Sequence, residues 1–248
     1  MLRGLLAIAV LAPSLASAQM RMSDALAERL AEIPAPPTPA AAAAAPAASD
    51  PDARARALFQ RTLIVGASVS AGYRAESPAG RIAREFGTGD AVVSLARPGA
   101  AGASQVQGLT DARLAAATVV VGVDLFFWDT QRDCDAGLAA VEELFKRVTP
   151  RQTPLILANV PSLHGPLGIG GNDSCRERLN PKIEKACKDD PACVLLDLNG
   201  LYAKAARDGG VELDGRKVPF KDLLSDGLHL SDAGSRLMAR AILDAIRK

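Results

Sequence analysis

The feature of this sequence that most constrains its fold is an alternation of short apolar runs with helical patterns. The apolar runs are rich in β-branched residues and lie at 63–65, 91–95, 118–123, 154–160 and 194–198. The helical patterns between them include 80–86, 106–116, 138–148 and 181–188. Continuous apolar strands that alternate with helices indicate a parallel sheet covered on both faces. We therefore expect one three-layer α/β/α domain around a five-stranded, mainly parallel sheet.

Two further elements are predicted after the last of these strands. Residues 211–219 resemble a small hairpin that turns at Asp214-Gly215, a pair typical of two-residue hairpin loops. The final segment, 231–248, begins with a serine N-cap, carries Asp232 in its first turn and ends in basic residues. These features favour a C-terminal helix.

The N-terminus has the pattern of a secretory signal peptide. A positive start at Arg3 precedes an apolar stretch over 5–15 and the small-residue step Ala16-Ser17-Ala18. A buried N-terminal helix would not need that step, and the apolar stretch is too short to span a bilayer. We expect residues 1–18 to be removed and the mature protein to be exported, either to the periplasm or to the medium, without stable membrane insertion.

The next residues separate this leader from the folded domain. Residues 23–33 have a helical pattern behind a serine N-cap, and residues 34–52 are dominated by Ala and Pro. The Ala/Pro composition offers almost nothing to bury, so it predicts a linker. We therefore place a short helix and linker at 19–52 and the domain at 53–248.

Four cysteines form an even set, which in an exported chain favours two disulfides. Three pairings are open. We prefer Cys134 with Cys175, which would tie two longer loops, and Cys187 with Cys193, which would close a short one. A zinc site is the alternative, but no cysteine pair has the usual close spacing and both histidines lie elsewhere. We expect no metal and no organic cofactor.

The charge of the chain points away from two classes of partner. Its 29 Lys and Arg residues nearly balance its 28 Asp and Glu residues, for a formal charge of +1. Nucleic acids and anionic membranes both favour clustered basic surface, and this balance gives no reason to expect either.

The first candidate for chemistry is the turn after the first strand. In open parallel sheets, sites form at the carboxyl ends of the strands. The run 63–65 leads directly into Gly66-Ala67-Ser68, where small residues leave the serine hydroxyl uncrowded and close to backbone N–H groups. The alternative is an ordinary Gly-rich turn into a helix. A phosphate-binding loop is not supported, because no Gly-Lys-Ser/Thr ending follows.

The second candidate lies just before the last helix. Asp226 and His229, three residues apart on a tight turn, can approach each other so that the carboxylate holds the imidazole tautomer. The only other histidine, His164, lies in a Gly/Pro-rich loop without a nearby acid, and we interpret it as a loop or pocket-rim residue. Asp226 as a simple turn former is the alternative, and Asp232 is better explained as a helix N-terminal charge.

Together, the Gly-x-Ser turn and the Asp-x-x-His pair resemble the SGNH (GDSL) hydrolase family over about residues 60–245. Two intermediate blocks can also be placed. Residues 94–99 follow the second strand, and Gly99 matches the family's oxyanion-hole glycine. Residues 121–124 end the third strand, where the family usually has Gly-x-Asn-Asp.

This resemblance implies a flavodoxin-like sandwich and hydrolysis of esters or thioesters through a Ser68 acyl-enzyme. It assigns catalysis to Ser68, Asp226 and His229, and an oxyanion hole to the N–H groups of Ser68 and Gly99. The expected partner is a small-molecule, lipid or glycan ester, so that the chain would be an esterase or a carbohydrate O-deacetylase.

Two positions depart from the family pattern. Ala67 replaces the Asp of the Gly-Asp-Ser signature, which is a supporting residue in the family. Asp124 occupies the place of the Asn that donates to the oxyanion, and an ionised carboxylate donates nothing. Either Asp124 is protonated in an apolar pocket, or the N–H groups of Ser68 and Gly99 carry the oxyanion while Asp124 orders a neighbour.

Three consecutive aromatic residues, Phe126, Phe127 and Trp128, directly follow this position. They either pack in the core, or one or two of the rings line an acyl or sugar pocket beside the site. The departures at 67 and 124 also keep two other functions open: a catalytically silent binding protein on the same fold, and an acyltransferase that uses a glycan hydroxyl instead of water.

Overall fold

Five parallel strands form the centre of the fold, in the order β2-β1-β3-β4-β5. The computed structural model describes residues 51–162 and 173–247. The strands are β1 (Thr62–Ile64), β2 (Val93–Ser94), β3 (Val119–Gly122), β4 (Leu155–Ala158) and β5 (Cys193–Leu196). This strand order is that of flavodoxin-like sheets, so the predicted fold class is confirmed.

The strands are short and almost entirely aliphatic because both faces of the sheet are covered. Every residue of β1, β3 and β4 is buried, whereas the edge strand β2 is exposed. Leu63 pairs with Val93 on one side and with Val120 on the other, so β1 lies inside the sheet. Strands that are buried on both faces appear in the sequence as continuous apolar runs, without the alternation of apolar and polar residues that a half-buried strand shows.

Helices connect successive strands and cover the sheet in two groups. One group contains α1 (Pro51–Leu58), α2 (Pro78–Glu85) and α9 (Asp232–Ile246), and the other contains α3 (Gly102–Gln107), α6 (Cys134–Val148) and α7 (Asp173–Asp189). The remaining helices are α4 (Asp111–Ala116), α5 (Asp129–Arg132) and α8 (Leu198–Arg207), with 3-10 turns at Gly89–Ala91, Thr149–Arg151 and Phe220–Leu223. The result is the predicted three-layer domain.

The C-terminal helix and the hairpin follow their local sequence signals. The Ser231 hydroxyl accepts the N–H of Gly234 at 3.1 Å, which caps α9. Strands β6 (Gly210–Leu213) and β7 (Arg216–Pro219) pair antiparallel. The turn between them has φ of +53° at Asp214 and +73° at Gly215, the conformation that two-residue hairpin loops require. The predicted hairpin is therefore confirmed.

Two disulfides brace the second group of helices. Cys134 is bonded to Cys175, which joins the first turns of α6 and α7, and Cys187 is bonded to Cys193, which joins the end of α7 to β5. This pairing is the one preferred from the sequence. Among the helices of the described ranges, none is long and apolar enough to cross a membrane. The two disulfides are compatible with an exported protein.

Several predictions fall on residues outside the described ranges. These are the signal peptide over 1–18, the helix over 23–33, nearly all of the linker, and His164. Helix α1 begins at Pro51, two residues before the domain start predicted at Ala53.

Candidate active site

Ser68 lies on a tight turn that follows β1 at the carboxyl edge of the sheet. We refer to residues 66–73 as the Ser68 turn. Its backbone is closed by hydrogen bonds from the Ala71 N–H to the Ala67 carbonyl at 2.9 Å and from the Tyr73 N–H to the Ser68 carbonyl at 2.9 Å. Ser68 is 6% exposed, so the residue is largely buried.

The carboxylate of Asp124 anchors this turn by accepting hydrogen bonds from its backbone. Its Oδ1 accepts the N–H groups of Ala67 at 2.9 Å and Ser70 at 3.2 Å, and its Oδ2 accepts the N–H of Val69 at 2.8 Å. Asp124 follows β3, which pairs with β1 in the sheet, so the two strands deliver the turn and its anchor side by side. Charge-assisted hydrogen bonds of this kind are about twice as strong as neutral ones.

This contact requires a glycine at position 66. Gly66 has φ of +137°, and a Cβ placed there would lie 2.5 Å from both Asp124 Oδ1 and the Ser70 hydroxyl oxygen. No real side chain tolerates such distances, so any other residue would displace the turn from its anchor. The Gly66 N–H is directed instead to the side-chain oxygen of Gln105 on α3, at 3.3 Å.

The carboxyl group of Asp124 faces the Ser68 turn. Both of its oxygens accept backbone N–H groups of that turn. Asp124 orders its neighbour, which is the second of the two arrangements expected from the sequence. The N–H of Ser68 lies between those of Ala67 and Val69, and it has no acceptor among the described residues.

Asp226 and His229 form a compact loop before α9. Asp226 Oδ2 lies 2.8 Å from Nδ1 of His229, and Asp226 Oδ1 accepts the N–H groups of His229 at 2.8 Å and Leu228 at 3.1 Å. The loop bends at Gly227, where φ is +82°. Burial by itself would raise the pKa of Asp226, but the hydrogen bonds from His229 and Leu228 outweigh it and lower that pKa to about 2.

The Ser68 turn and the Asp226–His229 loop face each other. The ring of Tyr73 packs edge-on against the ring of His229 with centroids 4.7 Å apart, and Arg74 Nε lies 3.9 Å from Asp226 Oδ2. No hydrogen bond joins the Ser68 hydroxyl to the His229 ring in the described part of the chain. In unliganded sites such bonds are often long and tighten only when substrate binds.

Gly99 lies in the loop after β2, at the same edge of the sheet. We refer to residues 95–101 as the Gly99 loop. Gly99 has φ of +73°, and its N–H has no acceptor among the described residues, whereas its carbonyl accepts from Arg132 Nη1 at 2.7 Å. The loop joins the Ser68 turn through a 3.2 Å hydrogen bond from the Arg97 N–H to the Gly66 carbonyl.

Asp129 fixes the end of the Gly99 loop where α3 begins. Its carboxylate accepts the N–H groups of Gly102 at 2.6 Å and Ala103 at 3.3 Å, and the side chain is almost fully buried. Burial raises the pKa of Asp129, and these two N–H groups oppose that rise. A Cβ at Gly137 would lie 2.6 Å from the Asp129 Cβ, so the glycine of α6 makes room for this side chain.

The three consecutive aromatic residues have different surroundings. A cavity of about 30 Å³ touches Ser68, and it is lined by Ser68, Val69, Val123, Asp124, Phe127, Pro161, Leu198, Tyr202, Leu228 and Met238. Phe127 therefore lies beside the candidate nucleophile, as one interpretation of the sequence expected. Phe126 is instead a core residue at 1% exposure. The ring of Trp128 lies beneath the guanidinium of Arg132, with 5.2 Å between the Arg132 Cζ and the centroid of the Trp128 ring. The prediction that these two rings line the pocket is not supported by their positions.

Sequence reasoning missed the residues that anchor the site. Asp129, Arg132 and Gln105 contact loops that are distant along the chain, so no local motif identified them. Tyr73 was also missed, although its place five residues after Ser68 in a short turn limits how far it can lie from the serine.

Several solved structures have a fold similar to that of this chain. No family model matches the chain, and the search of curated proteins found no match. The fold is similar to that of a lipase/acylhydrolase from Enterococcus faecalis, at 19% identity and a TM-score of 0.55 over 75% of this chain and 95% of the other. An acetylxylan esterase from Geobacillus stearothermophilus gives 17% identity and a TM-score of 0.55 over 75% and 93%. A GDSL-like lipase from Bacteroides thetaiotaomicron gives 17% and 0.52 over 76% and 88%.

These structures are similar to the present chain in nearly their whole length. The chain therefore has the fold of the SGNH (GDSL) hydrolases, as the sequence motifs predicted.

The first prediction concerns the anchor of the Ser68 turn. In an Asp124→Asn variant, one acceptor oxygen becomes an NH₂ group that faces backbone N–H donors, so the turn should shift. We expect esterase activity to fall at least about tenfold, since misplacing a reacting group by about 1 Å costs on the order of 10²-fold. Activity is measured across pH with p-nitrophenyl acetate.

The matched control is Asp190→Asn. Asp190 also accepts a backbone N–H, that of Ala192 at 2.9 Å, but it lies before β5 at the opposite edge of the sheet. Higher activity in Asp124→Asn than in the unmodified protein would contradict the anchoring role and would indicate that an amide donor was missing.

The second prediction follows from the pKa of Asp226. Because its pKa falls from the ordinary 3.8 to about 2 in the folded protein, the stabilisation from this carboxylate is present above about pH 4. It is lost as the pH falls from 4 to 2. The free energy of unfolding should therefore decrease more steeply over this interval in the unmodified protein than in Asp226→Asn. An Asp135→Asn variant, changed at an exposed ion pair with Arg178, serves as control and should follow the unmodified protein.

Proposed function

We propose that the chain is an exported serine hydrolase that cleaves carboxylic esters through a Ser68 acyl-enzyme. The observation that carries this proposal is the hydrogen-bonded Asp226–His229 pair on a loop that contacts the Ser68 turn. A carboxylate, an imidazole and a serine on adjoining loops of this fold are the parts that nucleophilic acyl transfer requires.

The mechanism assigns one role to each group. The unbonded ring nitrogen of His229 removes the proton of the Ser68 hydroxyl as its oxygen attacks the ester carbonyl. Asp226 fixes the tautomer through Nδ1 and stabilises the imidazolium that forms. The proton then passes to the leaving alcohol, and His229 next activates a water molecule that releases the acid and restores Ser68.

The oxyanion of the tetrahedral intermediate is held by the N–H groups of Ser68 and Gly99. Neither N–H has an acceptor among the described residues, so both are available to a ligand. This hole has two backbone donors and lacks the amide side chain that the family usually supplies, since Asp124 is occupied with the turn. Donors of this kind each contribute on the order of 10²–10³ in rate.

The substrate that fits best is an ester of a short acid, such as an O-acetyl group on a glycan. The cavity beside Ser68 is small, at about 30 Å³, which suits an acetyl methyl better than a long chain. Two proteins of similar fold are named as acetylxylan esterases, which supports a carbohydrate O-deacetylase.

Export is supported by the predicted leader at 1–18 and by the two disulfides, which persist in oxidising compartments. An enzyme outside the cytoplasm would meet extracellular or envelope glycans and lipids.

Two other functions use the same site. A catalytically silent binding protein is the second candidate, because no hydrogen bond joins Ser68 to His229 in the described chain. An acyltransferase would carry out the same first step and pass the acyl group to a glycan hydroxyl. Product analysis with an added acceptor sugar distinguishes transfer from hydrolysis.

The third prediction tests the nucleophile. A Ser68→Ala variant should lose hydrolysis of p-nitrophenyl acetate by several orders of magnitude, because no acyl-enzyme can form. It should also lose labelling by a fluorophosphonate probe. Ser94→Ala, at an exposed serine of β2, should retain both. Equal labelling of the Ser68→Ala and unmodified proteins would overturn the mechanism, and a lack of labelling in the unmodified protein would favour the silent binding protein.

The fourth prediction concerns acyl length. If the cavity beside Ser68 receives the acyl group, kcat/KM should be at least about tenfold higher for p-nitrophenyl acetate than for p-nitrophenyl octanoate, because a cavity of this size accommodates the longer chain poorly. A preference for octanoate would show that the acyl group binds elsewhere.

A further inference from the structure

The two N–H groups of the proposed oxyanion hole belong to different loops. Ser68 follows β1 and Gly99 follows β2, and an oxyanion must lie about 2.7–3.1 Å from both donors. The distance between these loops therefore decides whether the hole works. The start of the Gly99 loop is tied to β1 by the Leu95 N–H, which donates to the Ile64 carbonyl at 2.8 Å. Gly99 itself lies beyond these ties, next to two exposed residues, Arg97 and Pro98.

One segment of the chain reaches both loops. It runs from Asp124 to Arg132, between the end of β3 and the end of α5, and we refer to it as the clamp segment. Asp124 at its start holds the Ser68 turn through three N–H groups. Asp129 holds Gly102 and Ala103 at the far end of the Gly99 loop.

Arg132 completes this arrangement at the glycine itself. Its Nη1 donates to the Gly99 carbonyl at 2.7 Å, and its guanidinium lies over the ring of Trp128, which restricts its orientation. Gly99 has a positive φ, which glycine adopts readily, and a hydrogen bond of 3.0 Å from the Ala100 N–H to the Arg97 carbonyl closes the turn around it. The contact from Arg132 is the one side-chain hydrogen bond to Gly99 in the described residues.

We propose that Arg132 is a positioning residue of the oxyanion hole, which fixes Gly99 relative to Ser68 through the clamp segment. This inference rests on the proposed function. The proposed oxyanion hole has only two backbone donors, so the position of each donor has a larger effect on the rate than in a hole with three. The clamp segment would keep these two donors in position. The guanidinium also brings a positive charge next to the loop that faces the developing oxyanion, where Asp124 contributes a negative one.

The test compares Arg132→Ala with Arg151→Ala. Arg151 is also an exposed arginine, and its Nη1 likewise donates to a backbone carbonyl at 2.7 Å, that of Arg147, but it lies in the 3-10 turn before β4 at the other edge of the sheet. Both variants should unfold at the temperature of the unmodified protein within a few degrees, because both side chains are exposed.

We expect Arg132→Ala to lower kcat for p-nitrophenyl acetate by about 10- to 100-fold with KM changed less than threefold, because a displaced oxyanion donor weakens the transition state rather than the bound ester. Inhibition by a boronic acid, which forms a tetrahedral adduct with the serine, should weaken by a similar factor. Arg151→Ala should remain within twofold in all three quantities.

Two results would overturn the inference: a kcat for Arg132→Ala within twofold of that for Arg151→Ala, or a loss confined to KM. The failure of the proposed function has a different signature. In that case the unmodified protein neither hydrolyses the ester nor reacts with the fluorophosphonate probe.

Discussion

The interaction on which the rest of the site depends is that of the Asp124 carboxylate with three N–H groups of the Ser68 turn. A turn that must present a serine outward cannot satisfy these N–H groups within itself, and buried N–H groups without acceptors are costly. The carboxylate supplies the acceptors, and the glycine at 66 lets it approach. The family resemblance places an oxyanion donor at position 124, and in this chain the carboxylate at that position holds the Ser68 turn.

Without a side-chain donor at position 124, binding of the oxyanion depends on how the backbone N–H groups are placed. The proposed oxyanion hole consists of the N–H groups of Ser68 and Gly99, and both loops are tied to the segment that follows β3. That segment follows β3 at the carboxyl edge of the sheet, where parallel α/β folds place their sites. Asp129 is buried and Arg132 exposed, yet both bind backbone groups near Gly99, so the loop is held from its interior and its solvent side.

The sequence predicted the fold and the residue pairs that are close along the chain. Asp226 and His229 are three residues apart, so a turn at Gly227 is enough to bring them together. The Asp214-Gly215 hairpin and the serine cap of α9 are local in the same sense. The sequence did not decide which of the three consecutive aromatic rings pack in the core and which line the pocket. The direction in which each ring points depends on how the chain bends after β3. Phe127 lies beside the cavity, whereas Phe126 is in the core.

By itself, the sequence determined the order of strands and helices, the serine turn and the acid–histidine loop, because each depends on residues within one element or one turn. Only the tertiary structure decided the role of Asp124 and the anchors of Gly99. Asp124 and Val69 are 55 positions apart, and Arg132 and Gly99 are 33 apart. Contacts of that range exist only because β2, β1 and β3 are neighbours in a parallel sheet whose carboxyl ends meet at one edge.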